Sequence, residues 1–476
     1  MKVNSMINSL FVFWTLILSL NCLLEEGNIL LPMTSNFTLE HYQNKVYSKN
    51  YYTIPLLVGT PEEEYEVQID TSTATSWIPS SRCSNCIMSH RLYDQEDSRT
   101  SSPTDNFVEI EDEDGNVEGY QIADNIKLGS YKLKQFGFVE VTKVADNFKD
   151  HYQGKLGLGY KSTLLKDDEF NFLEKLKKNN LIKKKIFTIN AINEKKGMLF
   201  IGDIPGKPYN SYCNVTNTDD LDEMYQESWV CKMTHIGIFD REKGIFNKIK
   251  FYDELKNNKL VSFDSAYDFI AVPMSEKEGI EKLLGKAKLQ CTEQKRNSAR
   301  SNNKDKLRNR IREEEITISC ETNKEELKNK NLALSFVLQG NSYSLPLEQL
   351  FEDGTKDGEM DMLIKIIDED DAIWTFGYPF LNQFLMIFNM EEDHVGIKKL
   401  KKTALPIVAI NNKDMLKYNL GEDSSSSSNV FKVIGYITLL AVTLAILFIV
   451  YHAIRKNVPN SKSSLNINEH KVDPIF

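Results

Sequence analysis

Two stretches of this chain carry one pattern at matching offsets. Residues 67–79 read VQIDTSTATSWIP, and residues 261–273 read VSFDSAYDFIAVP. In each, a valine stands three places before an aspartate, an apolar residue directly before it, and a hydroxyl residue directly after it. A small residue follows, and an Ile-Pro or Val-Pro pair closes the segment at the same distance. The aspartates, Asp70 and Asp264, lie 264 − 70 = 194 positions apart. This repeat predicts two duplicated halves, each ending an apolar strand in an acidic turn, with the two turns facing one shared groove.

The chemistry follows from that placement. An aspartate at the end of an apolar strand is expensive to bury ionised. The hydroxyls of Thr71 and Ser265 and nearby main-chain N–H groups are placed to orient the two carboxylates. Either aspartate alone reads as a turn cap; the paired contexts point to a dyad. Two carboxylates that meet at a two-fold axis share one proton, because like charges at that distance do not both ionise easily. The ionised member then takes a proton from a water held between them, and the protonated member donates to a peptide carbonyl. Neither a metal nor a cofactor is called for, and the need for one shared proton predicts an acidic optimum.

A chain of 476 residues is longer than one core usually serves. With 41% apolar residues it can bury two, and a net charge of -10 argues against a nucleic-acid partner. β-rich runs between turn signals dominate from Tyr51 onward, and helical periodicity is confined to residues 172–185 and 276–288. The expected class is mainly β and two-lobed, with an N-terminal lobe over 51–205 and a C-terminal lobe over 206–405. Residues 27–50 read as a short, turn-rich lead-in or prosegment.

Both ends read as sorting segments. The apolar run 10–20 after Lys2 is short for a span and fits a signal peptide over 1–26. Residues 406–430, with the serine run 424–428, read as a stalk. Residues 431–454 are almost wholly apolar and long enough for one transmembrane helix through a lipid bilayer. Arg455 and Lys456 follow it, which places the tail 455–476 in the cytoplasm and makes the chain a single-pass type I protein of the secretory pathway or cell surface.

Cys22 would leave with the signal, and six cysteines remain, an even set for an oxidising compartment: Cys83, Cys86, Cys213, Cys231, Cys291 and Cys320. Sequential pairing is the simplest of the connectivities open to them. Cys83-x-x-Cys86 near His90 has the form of a zinc pair, but in that compartment a disulfide is the stronger reading. Sequons stand at Asn36 and Asn214. The basic stretch 295–312, between Cys291 and Cys320, reads as a solvated loop or short helix.

Over residues 51–399 the chain resembles the pepsin family of aspartic proteases (peptidase A1). The segment 51–86 is similar to that family's first hairpin, first aspartate turn and cysteine loop. GKLGLGY, residues 154–160, is similar to the glycine-rich strand that braces the turn. KLVSFDSAYDFIAVP is similar to the second aspartate turn, and the runs through ITISC and WTFGYPF to residue 399 are similar to the closing strands. The resemblance implies a bilobal fold and hydrolysis of peptide or protein substrates by a proton-sharing aspartate pair. It also implies that Cys83–Cys86 and Cys291–Cys320 are disulfides, with Cys213–Cys231 a looser match. Thr73 stands where the family has a serine that hydrogen-bonds one carboxylate.

Departures cluster at the same place. The family's Asp-Thr/Ser-Gly becomes Asp70-Thr71-Ser72 and Asp264-Ser265-Ala266, so Ser72 and Ala266 bring a Cβ where glycine is usual. Residues 107–129 are similar to the flap hairpin, but Asp112 replaces the closing tyrosine, and the tip before Gly115 is a run of four carboxylates that would favour basic peptides. Tyr267 and Asp268 follow the second turn, and Gly377-Tyr378 stands where the family has Gly-Asp. These departures leave a non-cleaving, membrane-displayed peptide binder as the alternative to an endopeptidase.

Overall fold

The structure, a computed structural model, describes residues 27–409 apart from 43–44, 87–90, 111–115, 146–152, 163–168, 194–195, 203–208, 210, 220, 222, 250–258, 298–313, 355, 357, 369–372 and 400–407. The segments expected to be signal, transmembrane helix and tail therefore lie outside the described residues, as do Asp112 and Gly115 of the expected flap. Among the described residues, no helix is long and apolar enough to cross a membrane.

The chain is mainly β. Its first half contains β1 (Ile29–Tyr42), β2 (Lys45–Val58), β3 (Glu63–Asp70), β4 (Trp77–Pro79), β5 (Ser102–Ile110), β6 (Val117–Leu128), β7 (Tyr131–Val144) and β8 (Lys155–Gly157). The turn-rich character expected of residues 27–50 is thus corrected: the segment is largely strand. Residues 29–42 form a strand between β2 and a later strand, Lys196–Ile201. Ile29, Leu31 and Met33 alternate into the core, a period-two signal hidden among turn-forming residues such as Pro32 and Asn36. Of the expected stalk, Val408 and Ala409 pair with Ser342 and Asn341; its remainder lies outside the described residues.

The duplication seen in sequence is a duplication of topology. In the first half, β3 runs parallel to β8, β8 is antiparallel to β4, and β4 runs parallel to β7. In the second half, Lys259–Phe263 runs parallel to Trp374–Phe376, which is antiparallel to Ile270–Pro273, which runs parallel to Ile364–Asp368. Asp70 ends the first strand of its set, and Asp264 directly follows the first strand of the other. The halves share more than symmetry: the C-terminal strands Phe384–Asn389 and His394–Lys399 belong to the first half's sheet.

Alternation along β3 explains why its aspartate is buried. Tyr65, Val67 and Ile69 enter the apolar core, while Glu66, Gln68 and Asp70 point to the opposite face. Glu66 is exposed, but Gln68 and Asp70 are covered by neighbouring strands. The two expected helices are present and shorter. Phe172–Lys178 stops at Asn179, and Asn180 adopts a left-handed backbone (φ 57°). Lys277–Ala287 ends at Lys288, also left-handed.

All six cysteines are paired in sequence order: Cys83–Cys86, Cys213–Cys231 and Cys291–Cys320. The last bridge joins directly opposed strand residues. Residues 295–297 of the basic stretch extend that strand rather than a loop or helix, because Cys291–Asn297 pairs along Glu314–Glu321. Asn36 lies in β1, and Asn214 is exposed in the strand Tyr212–Asn214.

Candidate active site

The two aspartate turns touch. Thr71 Oγ1 donates to the Phe263 carbonyl at 2.9 Å and accepts the Ser265 N–H at 3.0 Å. Reciprocally, Ser265 Oγ donates to the Ile69 carbonyl at 2.7 Å. Each hydroxyl therefore grips the backbone that carries the opposite aspartate. Both are buried, so these hydrogen bonds satisfy groups with no access to water.

Asp70 and Asp264 are buried beside this junction, at 1% and 4% exposure. Each turn supplies the same donor: Ser72 N–H to Asp70 Oδ1 and Ala266 N–H to Asp264 Oδ1, both at 2.8 Å. The side chains at the altered glycine positions are accommodated. Ala266 is buried, and the Ser72 hydroxyl turns back to Asp70 Oδ1 at 2.6 Å. The Ser72 hydroxyl thus adds a hydrogen bond to the carboxylate that glycine could not supply.

Thr73 does something other than expected. Its hydroxyl donates to Glu227 Oε2 at 2.8 Å, an oxygen that also accepts the Ala74 N–H at 2.9 Å. The Asp70 carboxylate takes its hydroxyl donor from Ser72 instead, one position earlier. A threonine in a loop reads alike for both partners; only the approach of residue 227 selects Glu227.

Sequence reasoning missed three residues here. Glu227 and Ser228 precede the strand Trp229–Asp240 and fasten it to the first turn. The Glu227 carbonyl accepts the Tyr160 N–H, and Ser228 Oγ donates to the Ser72 carbonyl at 3.0 Å. The third is Lys155. Its Nζ lies 3.1 Å from Asp70 Oδ2, with both side chains sealed from solvent (0% and 2%). A lone lysine between Gly154 and Leu156 has no periodicity to mark it as buried.

Two glycines let the strands close on the turns. A Cβ on Gly157 would sit 2.5 Å from the Ala74 carbonyl carbon, and one on Gly377 would sit 2.3 Å from the Phe269 carbonyl oxygen. These glycines are equivalent under the duplication, each following or ending the strand that runs beside its aspartate strand. Beyond Ala266, Tyr267 and Asp268 are half-buried, and Tyr378 N–H donates to the Tyr267 carbonyl.

Two duplicated β halves, each offering one buried aspartate to a hydrogen-bonded junction, define the bilobal aspartate-pair class of hydrolase folds. The chain belongs to the eukaryotic aspartyl protease family, whose family model matches residues 51–400, well over half of it. It is similar to procardosin-A of Cynara cardunculus, 28% identical over 39% of this chain and 37% of that protein. It is similar also to pregnancy-associated glycoprotein 1 of Sus scrofa (28%, over 38% and 46%) and to plasmepsin IV of Plasmodium falciparum (34%, over 32% and 35%). The chain thus spans less than half the length of each of these relatives in the matched stretch.

Proposed function

We propose that this protein is an aspartic endopeptidase that hydrolyses extended peptides with Asp70 and Asp264 as its carboxylate pair. The observation that carries the reading is the reciprocal grip of Thr71 and Ser265, which brings the two aspartate turns to one junction. Family membership supports peptide or protein substrates. In the proposed step, the ionised carboxylate takes a proton from a water, and the water oxygen attacks the peptide carbonyl carbon. The other carboxyl gives its proton to the carbonyl oxygen, forming a gem-diol. Return of a proton to the amide nitrogen, with loss of one from the diol, breaks the C–N bond and regenerates the pair.

The second reading, a membrane-displayed peptide binder without cleavage, is favoured by Lys155 and by the side chains at positions 72 and 266. The full-length chain, Asp70→Ala and Asp264→Ala, each incubated with a diverse peptide library, separate the two. Cleavage by the wild type that falls by about 100-fold or more in both variants supports the enzyme. Peptide retained by all three, with cleavage by none, supports the binder. The leader and the span at 431–454 belong to this proposal as a luminal or extracellular placement, which surface labelling of intact cells tests.

A further inference from the structure

Three hydroxyl residues follow Asp70 in a row, Thr71, Ser72 and Thr73, and each hydroxyl has one proton to donate. The proton of Thr71 goes to the Phe263 carbonyl at 2.9 Å. The proton of Thr73 goes to Glu227 Oε2 at 2.8 Å, while the same Thr73 oxygen accepts the Thr75 N–H at 3.0 Å. Both threonines are thus committed to fastening the turn to the second half. The proton of Ser72 goes to Asp70 Oδ1 at 2.6 Å, and that oxygen also accepts the Ser72 N–H at 2.8 Å. Of the three hydroxyls, the one that serves the carboxyl group stands where the family has glycine.

Ser72 is itself held in place. Its carbonyl accepts the Ser228 hydroxyl at 3.0 Å, at the head of the strand Trp229–Asp240. Its φ is not positive, so the backbone there suits a residue with a Cβ and does not call for glycine. The torsion that turns an aspartate's carboxyl group is broad and soft. Two donors on one oxygen, both from one anchored residue, define the plane of that group. Lys155 meets the other oxygen, Oδ2, at 3.1 Å. An ammonium is a compact charge with rotatable donors, and it sets no plane.

We propose that Ser72 is a positioning residue of the site: its hydroxyl orients the Asp70 carboxyl group for the reaction, a task closed to Thr73 while its proton is held by Glu227. The departure from glycine at this position is then a working part of the site, and restoring glycine weakens it. Ser72 acts through Asp70 and needs no contact with the peptide. This deepens the aspartate-pair reading and rests on it for the kinetic consequence alone.

The test compares the full-length wild type with Ser72→Ala, which removes only the hydroxyl, with Ser72→Gly, and with Ser72→Thr, which keeps the hydroxyl. Crystal structures of wild type and Ser72→Ala read the orientation whether or not the protein cleaves anything. The Asp70 carboxyl plane should turn by about 30° or more in Ser72→Ala, beyond an ordinary rotamer well; a plane left unmoved overturns the proposal. Where a library peptide is cleaved, Ser72→Ala and Ser72→Gly should lower kcat per folded molecule by about 10- to 100-fold, with KM within about two-fold of the wild type. Ser72→Thr should keep kcat within about three-fold of the wild type, a rescue that a merely structural loss would not predict. Cleavage by Ser72→Ala or Ser72→Gly as fast as the wild type or faster, or a Ser72→Thr that falls as far as Ser72→Ala, overturns the proposal. If Ser72→Gly folds poorly, Ser72→Ala decides. A turned carboxyl group in Ser72→Ala, together with a wild type that cleaves nothing, upholds the positioning and overturns the proteolytic reading.

Discussion

The Thr71 hydroxyl accepts the backbone N–H of Ser265 at 3.0 Å, across 194 residues of sequence, and both groups are buried. This contact joins the two halves at the point where their aspartates turn. Replacing Thr71 with Val keeps the shape and strands two backbone groups, the Ser265 N–H and the Phe263 carbonyl. Each such unpaired group costs about 1–3 kcal/mol. Urea unfolding should therefore show a loss of at least about 2 kcal/mol; a variant within a few tenths of wild type would mean that the junction adds nothing to stability.

Gly157 and Gly377 should tolerate a side chain poorly. An added Cβ meets backbone atoms at 2.5 Å and 2.3 Å, and backbone cannot rotate away. Alanine at either position should destabilise by about 1–3 kcal/mol or more. It should also displace the adjoining turn, so activity falls with stability. Gly285, whose Cβ would meet nothing within 4 Å, is the control and should tolerate alanine.

Glu227 holds the first turn through Thr73 Oγ1 and the Ala74 N–H. Hydrogen bonds to a charged acceptor are worth about 1.5–3 kcal/mol. Glu227→Ala should lower the melting temperature clearly, and Glu227→Gln, which keeps an acceptor oxygen, should lower it less. Equal losses in the two variants would show that charge matters here and the oxygen does not.

His235, on the strand Trp229–Asp240, is held below its ordinary value by burial and by nearby Lys248. As pH falls through about 6.5, the ordinary imidazole value, the unfolded chain takes up a proton that the folded chain refuses. Stability is thus present above that pH and is lost as pH falls toward the folded value. His235→Gln should flatten the dependence of unfolding free energy on pH between about 7 and 5. Parallel curves for wild type and variant would remove His235 from the acid response.

Much of the site was legible in the text of the chain. The paired contexts around Asp70 and Asp264 predicted a duplicated β fold, and the structure repeats the same strand pattern around each. Thr71 and Ser265 were chosen for their hydroxyls, yet they grip the opposite backbone, a role that local sequence does not encode. Thr73 was read by its position relative to Asp70 and went to Glu227, because the partner arrives from 154 residues away. The strand Ile29–Tyr42 was missed because its polar and proline residues carry turn signals, although its apolar residues alternate.

What the sequence alone determined was therefore the periodic and local part: alternation along β3, apolar approach to each aspartate, hydroxyl and small residue after it, and glycines for tight strands. These depend on neighbours along the chain. Tertiary structure alone decided which charges meet. Lys155 and Asp70 are 85 residues apart, and their contact exists only because β8 lies beside β3 and the surrounding strands exclude water. Electrostatic pairing depends on distance and solvent exclusion, and neither is a property of sequence order.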